Sequence, residues 1–92
     1  MVTDFVQLEI EVVNRLGLHA RPAAMIVKAA GAFASEVSLI KDEMRINAKS
    51  IMGVMMLAAE CGSTLLIEAQ GADAEAAVAA VAKTFADKFG ED

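Results

Sequence analysis

The chain has 92 residues, enough for one domain and too few for two. Its composition is 57% hydrophobic but only 4% aromatic, with much alanine, which excludes disorder and points to a small, alanine-padded core without a deep ligand cavity. Thirteen acids against eight bases give a net charge of −5, which argues against nucleic acid as the main partner.

Residues 5–13 alternate. Val6, Leu8, Ile10 and Val12 share one face and Gln7, Glu9 and Glu11 the other, which is the pattern of a half-buried strand. Arg15 to His19 contains Gly17 and reads as a loop. A helix follows, with Pro22 in its first turn and Ala23, Ile26, Val27 and Ala30 as its buried stripe. Gly31 is expected to supply a left-handed stop. Val37 and Leu39 mark a second strand, Lys41-Asp42-Glu43 a turn, and Met44-Arg45-Ile46 the start of a third strand. Asn47 or Ser50 is positioned to cap a short helix carrying Ile51, Val54 and Met55. Ser63–Gln70 is a fourth strand. The last helix is expected to start at Asp73 as N-cap and to stop at Gly90. Its apolar stripe is Val78, Val81, Phe85 and Phe89, and Lys83 and Lys88 suit its negative end. The order β-α-β-β-α-β-α predicts an α+β two-layer sandwich, with helices on one face of an antiparallel sheet and water on the other.

The start, Met1-Val2-Thr3-Asp4, lacks the basic n-region of a secretory leader, and no apolar run is long enough to span a bilayer. One cysteine and one histidine leave no internal disulfide and no His-rich metal site. A cytoplasmic domain, without metal or cofactor, is the expectation. Charge is unevenly placed. Val12–Ser35 and Met44–Ala59 contain no acid, yet hold Arg15, His19, Arg21, Lys28, Arg45 and Lys49. If these segments meet in space, one face is locally positive and suits an anion or an acidic partner.

Gly17-Leu18-His19-Ala20-Arg21-Pro22 places an imidazole at a helix start. A helix N-terminus presents unpaired N–H groups and partial positive charge, so it binds anions. Arg21 adds a donor fork suited to phosphate. An imidazole there is a competent nucleophile toward phosphorus. The same residue reads equally as a capping or surface histidine. No acid lies near His19 in sequence to orient it, and no G-x-x-x-x-G-K-[ST] loop is present. A hydrolase or kinase needs more machinery than this, whereas a carrier needs only the acceptor. Ser50 suits a helix cap, or a modification site whose phosphate would add about −1.5 to −2 charges to a binding face. Met52, Met55 and Met56 surround one short helix and cannot all face inward, so at least one is expected on the surface. Cys61 has no basic neighbour to activate it.

These segments carry a resemblance. Gly17-Leu18-His19-Ala20-Arg21-Pro22-Ala23 is similar to the active-centre motif of the HPr family, the histidine phosphocarriers of the bacterial phosphoenolpyruvate-dependent sugar phosphotransferase system. Asn47-Ala48-Lys49-Ser50-Ile51-Met52-Gly53-Val54-Met55 resembles the serine-site motif of that family. The similarity runs from about Val6 to Phe85. It implies an open-faced β-sandwich, with a four-stranded antiparallel sheet and three helices on one face, formed by residues 1–92 as a single domain. It implies that His19 accepts a phosphoryl group on Nδ1 from phospho-Enzyme I and passes it to IIA domains of Enzyme II, as a stoichiometric carrier and not an enzyme. Arg21 would stabilise the phosphate, with the backbone amides of Ala20 and Arg21. Ser50 would be the regulatory site of an HPr kinase/phosphorylase, and regulatory proteins are further implied partners. Ala24, Met25, Lys28, Lys49, Met52 and Met55 would line the partner face. A monomer without nucleic acid, membrane insertion or cofactor is expected. The alternative is a paralogous carrier in a regulatory, for example nitrogen-related, relay. Leu16, Ala58, Glu60 and Cys61 depart from the family's usual residues, and at Ala58 the usual residue is Gly.

Overall fold

The computed structural model describes residues 4–91. The first three residues of the Met1–Asp4 segment lie outside that range. The elements run β1 (Asp4–Glu11), α1 (Ala20–Gly31), β2 (Glu36–Lys41), β3 (Met44–Asn47), α2 (Ile51–Met56), β4 (Thr64–Gly71), α3 (Ala74–Ala86) and a short turn, Lys88–Gly90. The strands form one antiparallel sheet in the order β1-β4-β2-β3. This is the open-faced α+β sandwich expected, with its order β-α-β-β-α-β-α followed by one extra turn.

Register explains the two faces. Val6, Leu8 and Ile10 pair with Ala69, Ile67 and Leu65, and Val37 and Leu39 pair with Ala69 and Ile67. This alternate set faces the helices, where Ile26 of α1, Val54 of α2 and Val78, Val81 and Phe85 of α3 complete the core. The other set lies on the helix-free face. There Glu68 is buried although no helix covers it. Arg45 of β3 makes an ion pair with it at 2.6 Å, and Gln7 of β1 donates a hydrogen bond to it. The Arg45 hydrogen bond, more than the loss of solvent opposing it, holds the Glu68 carboxyl below the usual carboxylate range. Arg45 therefore belongs to the sheet's outer face and adds nothing to a positive face around His19.

Several ends differ from the sequence reading. β1 stops at Glu11, β4 spans Thr64–Gly71, and Gly31 is the last residue of α1 and has no positive φ. α1 ends instead by tightening, with the Ala32 N–H reaching the carbonyls of Ala29 and Ala30. α3 ends at Ala86, so Lys88, Phe89 and Gly90 lie beyond it. Lys83 pairs with Asp87 at 3.0 Å across the helix end. Phe89 remains in the core because the chain reverses. Lys88, Phe89 and Gly90 have φ of 53°, 55° and 73°, and Phe89 packs edge-on to Phe85 with ring centroids 5.0 Å apart. Left-handed L-residues each cost about 1–2 kcal/mol. Burial of a Phe side chain, about 1.5–3 kcal/mol, offsets much of that.

Asp73 occupies the N-cap position of α3 but makes no capping hydrogen bond. Its carboxylate reaches across to the start of β2, accepting from the Ala34 and Ser35 N–H groups at 2.9 Å each and from the Ser35 hydroxyl. Three donors from another segment outcompete the local cap. Gly71 lies against Ser35 at the same junction, with φ of 149°. The Ser35 hydroxyl bond, then the Ala34 amide, hold the Asp73 carboxyl below its usual range. The unfolded chain therefore binds the proton more readily, so this contribution is complete above the ordinary aspartate value and is lost as pH falls through the lower folded value. Asp73→Asn is expected to lower stability at pH 7 and to flatten the loss between pH 4 and pH 2, as read by urea unfolding across pH.

Ser50 caps α2, its hydroxyl accepting from the Gly53 N–H at 3.0 Å. Asn47 is also used, its side-chain oxygen accepting from the Lys49 N–H at 2.8 Å. Just after α2, Ala58 sits at φ 49°. An alanine in that region costs about 1–2 kcal/mol, and a glycine's extra unfolded-state entropy costs about 0.5–1. Ala58→Gly is expected to stabilise the fold by about 0.5 kcal/mol, measured as a higher urea midpoint with unchanged slope.

Candidate functional site: the N-terminus of α1

The loop before α1 is strapped to the turn before β4. Val12 donates to the Ser63 carbonyl at 2.9 Å, Gly62 donates to the Val12 carbonyl at 2.8 Å, and Leu18 donates to the Ala59 carbonyl at 2.9 Å. Gly17 adopts φ 71° so that the chain passes close to the Ala59 carbonyl. Asn14 is fully buried beneath the loop, its amide Nδ2 donating to the Gly17 carbonyl at 2.8 Å. These contacts set the backbone that delivers His19.

His19 is the N-cap residue of α1, with extended backbone and no side-chain capping bond. Its imidazole is turned outward and is 39% exposed. The capping reading of His19 is therefore excluded by geometry. Among the described residues no side chain caps the first turn, so the N–H groups of Ala20 and Arg21 have no side-chain acceptor. Pro22, buried in the same turn, has no N–H to offer. No acid occurs in that turn, so the helix dipole is uncompensated by its own sequence.

The carboxylate that sequence proximity lacked is supplied from 72 residues away. Glu91 Oε2 lies 2.8 Å from His19 Nε2, and Glu91 Oε1 accepts from Asn14 Nδ2 at 3.1 Å. With a carboxylate as partner, Nε2 carries the proton. Among the described residues Nδ1 has no hydrogen-bond partner. The two arginines nearest in sequence share the adjacent space. A pocket of about 340 Å³ is lined by Arg15, Leu16, Arg21, Gly90 and Glu91. A depression of similar size on the outer face, bordered by Arg45, Asn47 and Lys49, shares no residue with it.

Of the other residues singled out, Ala24, Met25 and Lys28 are exposed on α1, and Met52, Met55 and Met56 are all exposed on α2. The two helices pack against each other. Leu16 and Ile51 are also exposed. Lys49 is half-buried, its ammonium donating to the Phe33 carbonyl at 2.8 Å just past α1. Its charge is thus already engaged by a backbone oxygen. The locally positive face is accordingly narrower than the acid-free segments imply. Arg15 and Arg21 line one pocket together with Glu91, and Lys28 is exposed two turns farther along α1. Cys61 is an exposed free thiol. Among the described residues no group of His, Cys, Asp and Glu is placed to hold a metal, and no helix is long and apolar enough to cross a membrane.

Asn14 and Glu91 are the site residues that sequence reasoning missed. Asn14 had a local signal, a short amide three residues before a glycine in a loop. Glu91 had none, being one acid among thirteen and remote in sequence.

The chain is similar to known proteins in both sequence and fold. Residues 6–87 match the family described as the PTS HPr component phosphorylation site. The chain is 52% identical over 83 residues to the phosphocarrier protein HPr of Treponema pallidum, covering 90% of this chain and 94% of that one. It is 45% identical over 85 residues to the phosphocarrier protein HPr of Cupriavidus necator, covering 92% and 96%. Among solved structures, HPr-C-His from Thermoanaerobacter tengcongensis superposes with a TM-score of 0.90 at 42% identity, covering 95% of this chain and 98% of that one. The phosphocarrier protein HPr from Bacillus anthracis superposes at 0.84 with 43% identity, covering 88% and 96%. With residues 6–87 matching that family and relatives 45–52% identical over most of its length, the chain belongs to the HPr family, the phosphocarrier component of the phosphotransferase system.

Proposed function

We propose that His19 accepts a phosphoryl group on Nδ1 from phospho-Enzyme I and releases it to IIA domains of Enzyme II. The observation that carries this reading is the outward imidazole beside unused amides and a pocket holding Arg21. A phosphoryl group on Nδ1 needs donors for its equatorial oxygens and positive charge nearby. The Ala20 and Arg21 amides and the Arg21 guanidinium are of the right chemical type for both. Full catalytic machinery is not required here, because a carrier's partners supply it. Ala24, Met25, Lys28, Lys49, Met52 and Met55 form the proposed partner face. Exposed methionines suit a surface that must fit several partners in turn. Lys49 would have to release the Phe33 carbonyl before pairing with a partner's acid. A cytoplasmic location fits these partners.

Ser50 is proposed as the regulatory site. A phosphate there adds about −1.5 to −2 charges beside the exposed methionines and opposes binding of an acidic donor surface. Aspartate also caps helices, so Ser50→Asp is expected to change stability by no more than about 0.5 kcal/mol. It is expected to slow uptake from phospho-Enzyme I several-fold, measured by rapid quench. An unchanged rate would remove Ser50 from the regulatory reading.

The direct test is incubation with phosphoenolpyruvate and Enzyme I, read by intact mass before and after mild acid. One phosphate that acid removes supports the phosphohistidine carrier. No added mass with an active Enzyme I refutes it.

A further inference from the structure

Glu91 is unusual among the acids of this chain. It is mostly buried, with a side chain 14% exposed, and both its carboxylate oxygens are directed at site residues. The fold places it there at a cost. Three successive left-handed residues, Lys88 to Gly90, turn the chain back toward α1, and Phe89 anchors that reversal in the core. Asn14, itself fully buried, holds Oε1 and so aims Oε2 at the ring. A carboxylate in a pocket otherwise lined by Arg15 and Arg21 would weaken an anion site if its only role were charge. Its contact with Nε2 gives it another role.

We propose that Glu91 is a positioning residue for phosphoryl transfer: its carboxylate keeps the proton on His19 Nε2 throughout the cycle, so that Nδ1 is the acceptor and the ring departs as neutral imidazole. This rests on the carrier reading above and specifies its chemistry. In the resting ring Nε2–H donates to Glu91 and the Nδ1 lone pair is free. When Nδ1 attacks phosphorus, the donor's bond to phosphorus breaks and its electron pair leaves with the donor. The product ring bears phosphorus on Nδ1 and hydrogen on Nε2, and is a phosphoimidazolium cation. Glu91 neutralises that charge at hydrogen-bond distance, while Arg15 and Arg21, the other charged groups facing the pocket, remain for the phosphoryl oxygens. In onward transfer the Nδ1–P electron pair returns to the ring, which leaves as neutral imidazole with Nε2–H still in place. Neither step moves a proton. Without the carboxylate, the phosphorylated ring loses its Nε2 proton more readily, and an anionic imidazolate is a much poorer leaving group. Glu91 therefore keeps the phosphoryl group labile, as a carrier requires.

The test uses chemical phosphorylation with phosphoramidate, which needs no partner protein, on the full chain and on Glu91→Gln and Glu91→Ala. Proton–nitrogen and phosphorus NMR identify the phosphorylated nitrogen, and hydrolysis at pH 8 is followed by phosphorus NMR. The unaltered chain is expected to be phosphorylated on Nδ1. Glu91→Ala, with Nε2 uncovered, is expected to give Nε2 product as well. The Nδ1 product of Glu91→Gln, where an uncharged amide replaces the carboxylate, is expected to hydrolyse about fivefold more slowly, the scale of losing one partly exposed charge-assisted hydrogen bond. Equal regiochemistry and equal hydrolysis in all three proteins would overturn the proposal. Failure of the unaltered chain to accept phosphate from phospho-Enzyme I would instead count against the carrier reading, and the Glu91 dependence would still be decided by the chemical reaction.

Discussion

His19→Ala is expected to take up no phosphoryl group from phospho-Enzyme I, the donor proposed above, and to keep the urea midpoint of the unaltered chain within about 0.5 M. The first half follows from chemistry. The chain contains one histidine, and nothing else near the start of α1 is a nitrogen nucleophile. Arg21 is protonated at all working pH and cannot accept a phosphoryl group. The second half follows from placement. The His19 side chain lies outside the core and caps nothing, so its removal opens no cavity and breaks no helix cap. It does break the hydrogen bond to Glu91, and a partly exposed pair of this kind contributes about 1 kcal/mol at most. Intact mass after reaction with phosphoenolpyruvate and Enzyme I checks the first claim, and urea unfolding checks the second. Labelling of His19→Ala would place the acceptor elsewhere.

Gly17→Ala is the substitution expected to cost the fold most for a single added methyl. A Cβ at Gly17 would stand 2.5 Å from the Ala59 carbonyl oxygen and 3.1 Å from Glu60 Cα. Both are backbone atoms, and neither can rotate away. The Ala59 carbonyl is held by the Leu18 N–H, and the Gly17 carbonyl by Asn14. Relief of the clash must therefore pull the loop from the turn and break one of these bonds. The left-handed φ of 71° adds about 1 kcal/mol for any residue with a Cβ. With an overpacking cost of about 1–3 kcal/mol, the total is about 3 kcal/mol, or a melting temperature lower by roughly 15 °C. The same displacement moves His19 relative to Arg21 and Glu91. Phosphoryl uptake at a temperature where the variant is folded should fall about tenfold or more, because positioning is most of what this site supplies. A variant with unchanged melting temperature and uptake would show that the loop yields more easily than its hydrogen bonds indicate.

The contrast between these substitutions reflects how the site is built. The His19 side chain, the acceptor proposed above, is nearly free of the core, whereas the backbone that presents it is tied down by Asn14, Leu18 and Gly17. A carrier must offer its imidazole to one partner after another, so the ring has to be open. In the proposed role the amides beside it must not move, because they would serve only when aimed.

Local rules carried much of the reading. The spacing of Ala23, Ile26 and Ala30 identifies a buried helix face that the fold reproduces, and the alternation of β1 brings Val6 and Ile10 against the core while Leu8, on this edge strand, stays exposed; period two and period 3.6 are properties of the backbone itself. Ser50 and Gly53 meet because the cap and its donor are three residues apart. The element ends were less legible. Gly31 could have been a left-handed stop, but α1 closes through Ala32 and Phe33 instead, a choice made by tertiary packing of the following turn. Asp73 has the right type and place to cap α3, yet Ala34 and Ser35 draw its carboxylate away. Propensity describes what a residue does with its neighbours, and these donors are 38 and 39 residues distant.

The sequence by itself determined the fold class, the helix that carries His19, the companion Arg21 and the serine cap of α2, since each depends on residues within a few positions of one another. Only the tertiary structure decided which charges reach the site. Arg45 is drawn to Glu68 on the far side of the sheet, Lys49 to the Phe33 carbonyl, and Glu91 to His19. Hydrogen bonds and ion pairs act over about 3 Å. Which groups come that close is set by sheet register and by the chain reversal after α3, neither of which can be read from the charge pattern along the chain.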